Sequence, residues 1–126
     1  MGKDPQEWLR QADYDMATSE YMYTGGRYIY AVFMCHLALE KALKGIYQKK
    51  LESVPPKTHN LLYLMEKTQV QPPAEMLKTV VFLNRLSIPT RYPDDLQRMM
   101  KDYTQEKTGE ILEKSKEVLR WLEKLY

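Results

Sequence analysis

The sequence has little of what disulfides, β-sheets or bulk charge would require. Its one cysteine, Cys35, cannot form an internal disulfide, so we expect a cytoplasmic protein. Only ten of the 126 residues are Val or Ile, and sustained alternation of apolar and polar residues is missing, which argues against strands. The 19 Lys and Arg nearly balance 17 Asp and Glu, giving a formal charge of +2. Nucleic-acid binding driven by bulk charge is therefore excluded, and any such contact needs a local site.

Long hydrophobic runs and cofactor motifs are missing as well. The most apolar stretch, 28–39, is too short for a membrane helix, which needs about 20 residues. The segment Met1 to Pro5 contains no apolar run typical of a signal peptide. No Gly-rich phosphate loop, pair of cysteines or His-x-x-x-His motif occurs. We therefore expect no membrane contact, no metal and no other cofactor.

Glycine and proline divide the chain into segments with helical periodicity. Helices are predicted at 5–24, 27–50, 59–67, 74–87 and 104–125. The stretch 88–103 lacks a clean period, and we interpret it as a structured loop with at most one helical turn. The pattern predicts a single domain over 1–126, an all-α, up-and-down bundle of four to five helices.

Three residues are predicted to shape the helix ends. Asp4 precedes Pro5 and is expected to cap the first helix. Gly25 is expected to end that helix in a left-handed conformation. Thr58 is expected to cap the third helix.

The second predicted helix, 27–50, carries two opposed stripes. One consists of small residues, which let another helix approach closely: Ala31, Cys35, Ala38, Ala42 and Gly45. The other is partly polar: Phe33, His36, Leu37, Glu40, Lys44 and Tyr47. A helix that is apolar over most of its circumference usually lies at the centre of a bundle.

The second helix also carries a resemblance to a known family. The run GRYIYAVFMCHLALEKALK, from Gly26 to Lys44, resembles the signature of the HEPN domain family. ADYDMA at 12–17 is similar to that family's first helix, and THNL at 58–61 and RYPD at 91–94 match two further recurrent segments. The resemblance covers nearly the whole chain.

The resemblance implies a helical bundle, commonly a homodimer, that binds nucleotides or RNA. It also implies a small nucleotidyltransferase partner, as in a toxin-antitoxin-like system. Ribonucleases of the family carry an Arg followed after four to six residues by a His. Neither His36 nor His59 follows an arginine at that spacing. Whether the chain is an enzyme is therefore left open, with the missing motif favouring a binding protein.

The candidate binding residues have competing interpretations. His36, Glu40 and Lys44 follow one line of the helix and form either a polar strip in a cleft or an ion-paired face. His59 is either a local hydrogen-bond partner or a catalytic base.

A second group of candidates lies in the predicted loop. Arg91 either binds a phosphate or pins its loop through Asp94 or Asp95. Tyr92 is a candidate for stacking on a base. With Arg91 in the role of phosphate ligand, His59 and Arg91 together would make a metal-independent ribonuclease.

The remaining tyrosines and the cysteine point to structural roles. A cluster around the first turn favours an oligomer interface over a stacking platform: Tyr14, Tyr21, Tyr23, Tyr28 and Tyr30. Cys35 is expected to be a buried, inert thiol. The sequence thus favours a HEPN-like module that binds a nucleotide, RNA or a minimal nucleotidyltransferase. A ribonuclease and a purely structural adaptor are the alternatives.

Overall fold

The computed structural model describes residues 4–86 and 93–126, and the side chains of 4–86 and 97–126. In these ranges every regular element is a helix. The six helices are α1 (Pro5–Thr24), α2 (Tyr28–Leu51), α3 (Leu61–Thr68), α4 (Ala74–Arg85), α5 (Pro93–Asp102) and α6 (Gln105–Glu123). The predicted all-α class is confirmed.

Helix α2 is the centre of the bundle, because it packs against each of the other five helices. All five members of its small-residue stripe are buried. The neighbours come close: Ser19 Oγ on α1 donates a 2.6 Å hydrogen bond to the Ala31 carbonyl. A Cβ added at Gly45 would lie 2.9 Å from Trp8 Cβ, also on α1. The prediction of near contact along this stripe is therefore confirmed.

Two of the predicted helix ends are wrong in detail. Asp4 caps α1 as expected, with Oδ1 accepting from the Gln6 N–H over 3.1 Å. Gly25, however, has φ −82°, and the left-handed residue is Gly26 with φ 77°. Helix α3 is capped by Asn60, whose Oδ1 accepts from the Tyr63 N–H over 3.0 Å. Both side chains can cap a helix, and Asn60 takes the role in place of Thr58 where Asn84 Nδ2 also donates to its Oδ1 over 3.2 Å.

The predicted loop over 88–103 is also partly wrong, since α5 occupies Pro93–Asp102. Proline suits the first turn of a helix, where its missing N–H is not needed. Met99 and Tyr103 then pack against the core one helical turn apart. This packing buries the apolar face of a short, mostly polar helix. Within the described part of the chain, no helix is long and apolar enough to cross a membrane.

Candidate functional site

A buried carboxylate on α2 is the centre of the candidate site. The Glu40 side chain is only 4% exposed and has a partner for each oxygen. Oε2 accepts a 3.0 Å hydrogen bond from Lys44 Nζ, one helical turn further along α2. Oε1 lies 2.8 Å from His59 Nδ1. Because a buried charge is costly without partners, these contacts explain how Glu40 is tolerated in the core.

His59 approaches Glu40 from the segment between α2 and α3. It precedes the first turn of α3, where the sequence had predicted it to lie within the helix. Asn60 caps α3, and Asn84 Oδ1 on α4 accepts from the Leu61 N–H over 2.6 Å. These bonds fix the backbone on the C-terminal side of His59. The contact with Glu40 holds the imidazole at Nδ1, while the His59 side chain remains 70% exposed.

His36 is the fourth member of this group, and it lies one turn before Glu40. Its Nδ1 is 3.9 Å from Glu40 Oε1, which is beyond hydrogen-bonding distance. Burial lowers the pKa of His36, and the charge of Glu40 and the backbone of His59 oppose that lowering. His36 therefore stays neutral at pH 7. We call His36, Glu40, Lys44 and His59 the Glu40 cluster.

The charges of the Glu40 cluster nearly cancel. Lys44 is buried and pairs with Glu40, so its ammonium offers little free charge to a ligand. His36 is neutral, and His59 presents a ring nitrogen, Nε2, that has no hydrogen-bond partner within the described residues. The cluster is suited to one directed hydrogen bond or proton transfer through His59. It is not suited to neutralising a run of phosphates.

The sequence matches a known family over most of its length. The family model for the HEPN domain matches residues 5–125. The chain belongs to the HEPN domain family. That family is generally associated with nucleotides and RNA. No curated protein matches this chain.

Two solved structures are similar to this HEPN domain. An archaeal HEPN homologue, ST0689, is 26% identical with a TM-score of 0.76, covering 99% of this chain and 100% of its own. TT1696 from Thermus thermophilus is 26% identical with a TM-score of 0.80, covering 97% of this chain and 98% of its own. The likeness therefore extends over whole chains.

The structure brings together some of the predicted site residues of this HEPN domain. The Glu40 cluster unites four of them: His36, Glu40, Lys44 and His59. Arg91 and Tyr92 lie outside the described residues, as does the side chain of Asp94. Whether Arg91 binds a phosphate or pairs with Asp94 or Asp95 to hold its loop in place therefore stays a prediction.

The sequence analysis missed two polar features, one that supports the site and one on the opposite side of α2. Asn84 connects α4 to the start of α3, and its Nδ2 also donates to Asn60 Oδ1 over 3.2 Å. On the α1 side of α2, Lys41 Nζ lies 2.9 Å from the buried Asp15 Oδ2. Asp15 occupies a position on the apolar face of α1 beside Ala12 and Ser19. A carboxylate at a core position was the signal that could have revealed this pair.

Cys35 matches its predicted structural role. Its thiol is buried and lies 3.2 Å from Ser19 Oγ. Burial raises the pKa of this thiol, and hydrogen bonds with Ser19 and Ser115 oppose the rise. A protonated thiol is a poor nucleophile. Across the described residues, no group of three or more His, Cys, Asp or Glu side chains is placed to hold a metal ion.

Proposed function

We propose that this chain is a single-domain, cytoplasmic HEPN module that binds a nucleotide or RNA through the Glu40 cluster. The observation that carries the proposal is the contact between the buried Glu40 and the exposed His59. A carboxylate oxygen only accepts, so His59 donates through Nδ1 and its Nε2 is directed away from Glu40. A surface histidine with no such partner would sample many orientations. The contact with Glu40 instead fixes the orientation of the His59 ring, so that Nε2 can form a hydrogen bond to a ligand.

The chemistry of His59 suits a ribonucleotide. Neutral Nε2 accepts a hydrogen bond from a ribose hydroxyl, and the protonated ring donates to a phosphate oxygen. The net charge of +2 is too small for affinity from bulk charge. We therefore expect recognition of one or a few nucleotides, with modest dependence of the affinity on salt.

A ribonuclease is the second candidate, and the same contact favours it. An imidazole held by a carboxylate is the arrangement of a general base with the group that orients it. Attack by a ribose 2′-hydroxyl on the adjacent phosphate needs such a base. It also needs a cation for the phosphate, and Arg91 is the candidate for that role. A structural adaptor, in which the Glu40 cluster only ties α3 to α2, is the remaining alternative.

The proposal includes two kinds of protein partner. Three tyrosines on the surface of α1 and α2 are solvent-exposed, with exposed fractions of 74% for Tyr14, 79% for Tyr21 and 43% for Tyr30. Tyrosine is enriched at protein interfaces, which supports a homodimer through this surface. A minimal nucleotidyltransferase is the other partner, in a toxin-antitoxin-like pair. Sedimentation at tens of micromolar, where specific dimers form, tests the dimer.

Binding measurements with a His59 variant test the function. We expect His59→Ala to weaken binding of a labelled single-stranded RNA or of adenosine 5′-monophosphate by about tenfold, the value of one good hydrogen bond to a charged group. Lys57→Ala is the matched control, because Lys57 is exposed two residues away and outside the Glu40 cluster. Equal affinities for wild type and His59→Ala, with a lowered Tm, would support the adaptor.

A cleavage assay separates the two nucleotide-related candidates. Wild-type protein is incubated with labelled RNA in the presence of a chelator. Cleavage that His59→Ala abolishes and Lys57→Ala retains would establish the ribonuclease. Intact RNA together with His59-dependent binding would establish the binding module.

A further inference from the structure

Asn84, near the end of α4, bonds to the two residues that directly follow His59. Its Oδ1 accepts a 2.6 Å hydrogen bond from the Leu61 N–H, and its Nδ2 donates to Asn60 Oδ1 over 3.2 Å. The two bonds fix the orientation of the amide, because a backbone N–H needs the oxygen on its side. A side chain of α4 therefore holds the start of α3.

His59 lies in a turn whose other bonds are local. The Asn60 N–H donates to Thr58 Oγ1 over 3.1 Å, so a hydrogen bond closes across His59. Asn60 Oδ1 in turn accepts from the Tyr63 N–H over 3.0 Å. These contacts shape the turn but do not attach it to another helix. Asn84 supplies that attachment to the backbone of the turn.

The start of α3 needs a partner from outside, because local sequence specifies it weakly. Helix α3 has eight residues, fewer than the 12 to 15 or so that make an isolated helix stable. The connection before it, 52–60, contains Pro55 and Pro56 and no regular element. Leu61 is fully buried and packs α3 against the core. Hydrogen bonds restrict angle as well as distance, so Asn84 also sets the direction of the backbone.

We propose that Asn84 is a positioning residue for His59. By holding the start of α3, its amide keeps the imidazole where Nδ1 donates to Glu40 and Nε2 is directed to a ligand. Within the described residues its side chain bonds to Asn60 and Leu61 and not to His59, so it acts through the backbone. The consequence for binding rests on the proposed function, whereas the orientation of the ring is measurable without a ligand.

The role is specific to asparagine. An aspartate at position 84 accepts from the Leu61 N–H, but it has no donor for Asn60 Oδ1. Alanine provides neither bond. Glutamine has both groups, but its extra methylene moves them away from their partners. The pair of bonds therefore requires the side chain that Asn84 has.

The tautomer of His59 reports whether the ring is held. Donation to Glu40 Oε1 places the proton of the neutral imidazole on Nδ1. A ring released from Glu40 distributes its proton over both nitrogens. Imidazole ¹⁵N NMR distinguishes the two states, at a pH high enough to leave both histidines of the chain neutral. The spectrum of His59→Ala assigns the signals.

Two variants test the amide directly. We expect Asn84→Ala to shift the ring of His59 from Nδ1–H toward the tautomer mixture of a free imidazole. It should also weaken binding of a labelled single-stranded RNA by about threefold to tenfold, the value of ordering one side chain. Asn84→Asp should give a tautomer mixture between those of wild type and Asn84→Ala, because it keeps the bond to the Leu61 N–H.

Thr104→Ala is the matched control. Thr104 caps α6 by accepting from the Lys107 N–H over 3.2 Å, so the variant also removes a side-chain bond at the start of a helix. We expect a lower Tm with an unchanged His59 tautomer and unchanged RNA affinity. A purely structural effect of Asn84 would look the same as this control.

The tautomer decides the proposal independently of ligand binding. A wild-type tautomer in Asn84→Ala would overturn it, and so would an equal shift in Thr104→Ala, because that result means general loosening of the fold. If Asn84→Ala does not fold, Asn84→Asp decides, and a wild-type tautomer there would reject the need for the amide donor. A shifted tautomer with unchanged RNA affinity would refute the consequence for binding. A shifted tautomer in a chain whose wild type binds no RNA would retain Asn84 as the positioning residue and reject the proposed function.

Discussion

Glu40 and His59 are 19 residues apart in the sequence, and Glu40 Oε1 lies 2.8 Å from His59 Nδ1. The contact joins the middle of the central helix to the segment that precedes α3. One partner is buried and the other is largely exposed. A single carboxylate therefore serves both the core, through Lys44, and the surface, through His59. Loss of that carboxylate should affect stability and ligand binding together.

Glu40→Gln is the variant that tests this dual role. An amide cannot balance the charge of the buried Lys44, and breaking a buried pair from one side costs about 3 kcal/mol. We expect urea unfolding to show a loss near that size, together with weaker RNA binding. Glu75→Gln is the control, since Glu75 and Lys78 form an exposed pair on α4. That variant should change the free energy of unfolding by less than about 0.5 kcal/mol. Equal losses in the two variants would contradict the role of Glu40.

Much of this site could be predicted from local sequence. His36, Glu40 and Lys44 repeat every fourth residue, so helix geometry alone places them on one line. The addition of His59 depends on a long-range contact through a connection that contains two prolines, and no local pattern specifies it. The choice of Asn60 over Thr58 as the cap is similar, because both side chains cap helices well. The structure decides it through the further bonds to Asn84.

Gly45→Ala tests the close packing of α2 against the two ends of the chain. A Cβ at this position would overlap the hydroxyl of Tyr126 and lie 2.9 Å from Trp8 Cβ. That hydroxyl donates a 2.5 Å hydrogen bond to the Ala42 carbonyl. We expect a loss of about 1–3 kcal/mol, the range for overpacking, and a lower Tm.

Gly25→Ala is the matched control for Gly45→Ala. Its added Cβ would lie 3.5 Å from the Tyr21 carbonyl, an ordinary contact, and φ at Gly25 is −82°. Alanine tolerates that backbone, so the variant should be as stable as wild type or slightly more so. An unchanged Tm in Gly45→Ala would contradict the prediction, because Tyr126 would then move away from the small-residue stripe with no loss of stability.

The fold was predictable where packing and propensity agree, and α5 shows where they do not. Helices α1, α2 and α6 have caps or long apolar faces, and their predicted bounds lie within two residues of the observed ones. Helix α5 is short and mostly polar, and its few apolar residues fall on one face. Met99 and Tyr103 on that side contact the rest of the core, and the sequence analysis missed the helix because these residues are few among polar ones.

A carboxyl pair between α1 and the end of α6 should make stability depend on pH. Burial, followed by a hydrogen bond and charge repulsion from Asp13, raises the pKa of Glu123 from 4.5 to about 7, and Arg120 opposes the rise. Between these values the folded chain binds more protons than the unfolded chain, so this group's contribution to stability is lost as the pH rises through about 7.

Glu123→Gln removes the charge. We expect the variant to be more stable than wild type at pH 8 by about 0.5–1 kcal/mol, because solvent screens this partly exposed pair. The gain should largely disappear by pH 4.5, where wild-type Glu123 is protonated in the folded state and about half protonated in the unfolded state. Thermal unfolding at a series of pH values measures the difference, with the exposed Glu117→Gln on the same helix as the control. A gain that is equal at pH 8 and pH 4.5, or equal in the two variants, would show that Asp13 and Glu123 do not share a proton in the folded chain.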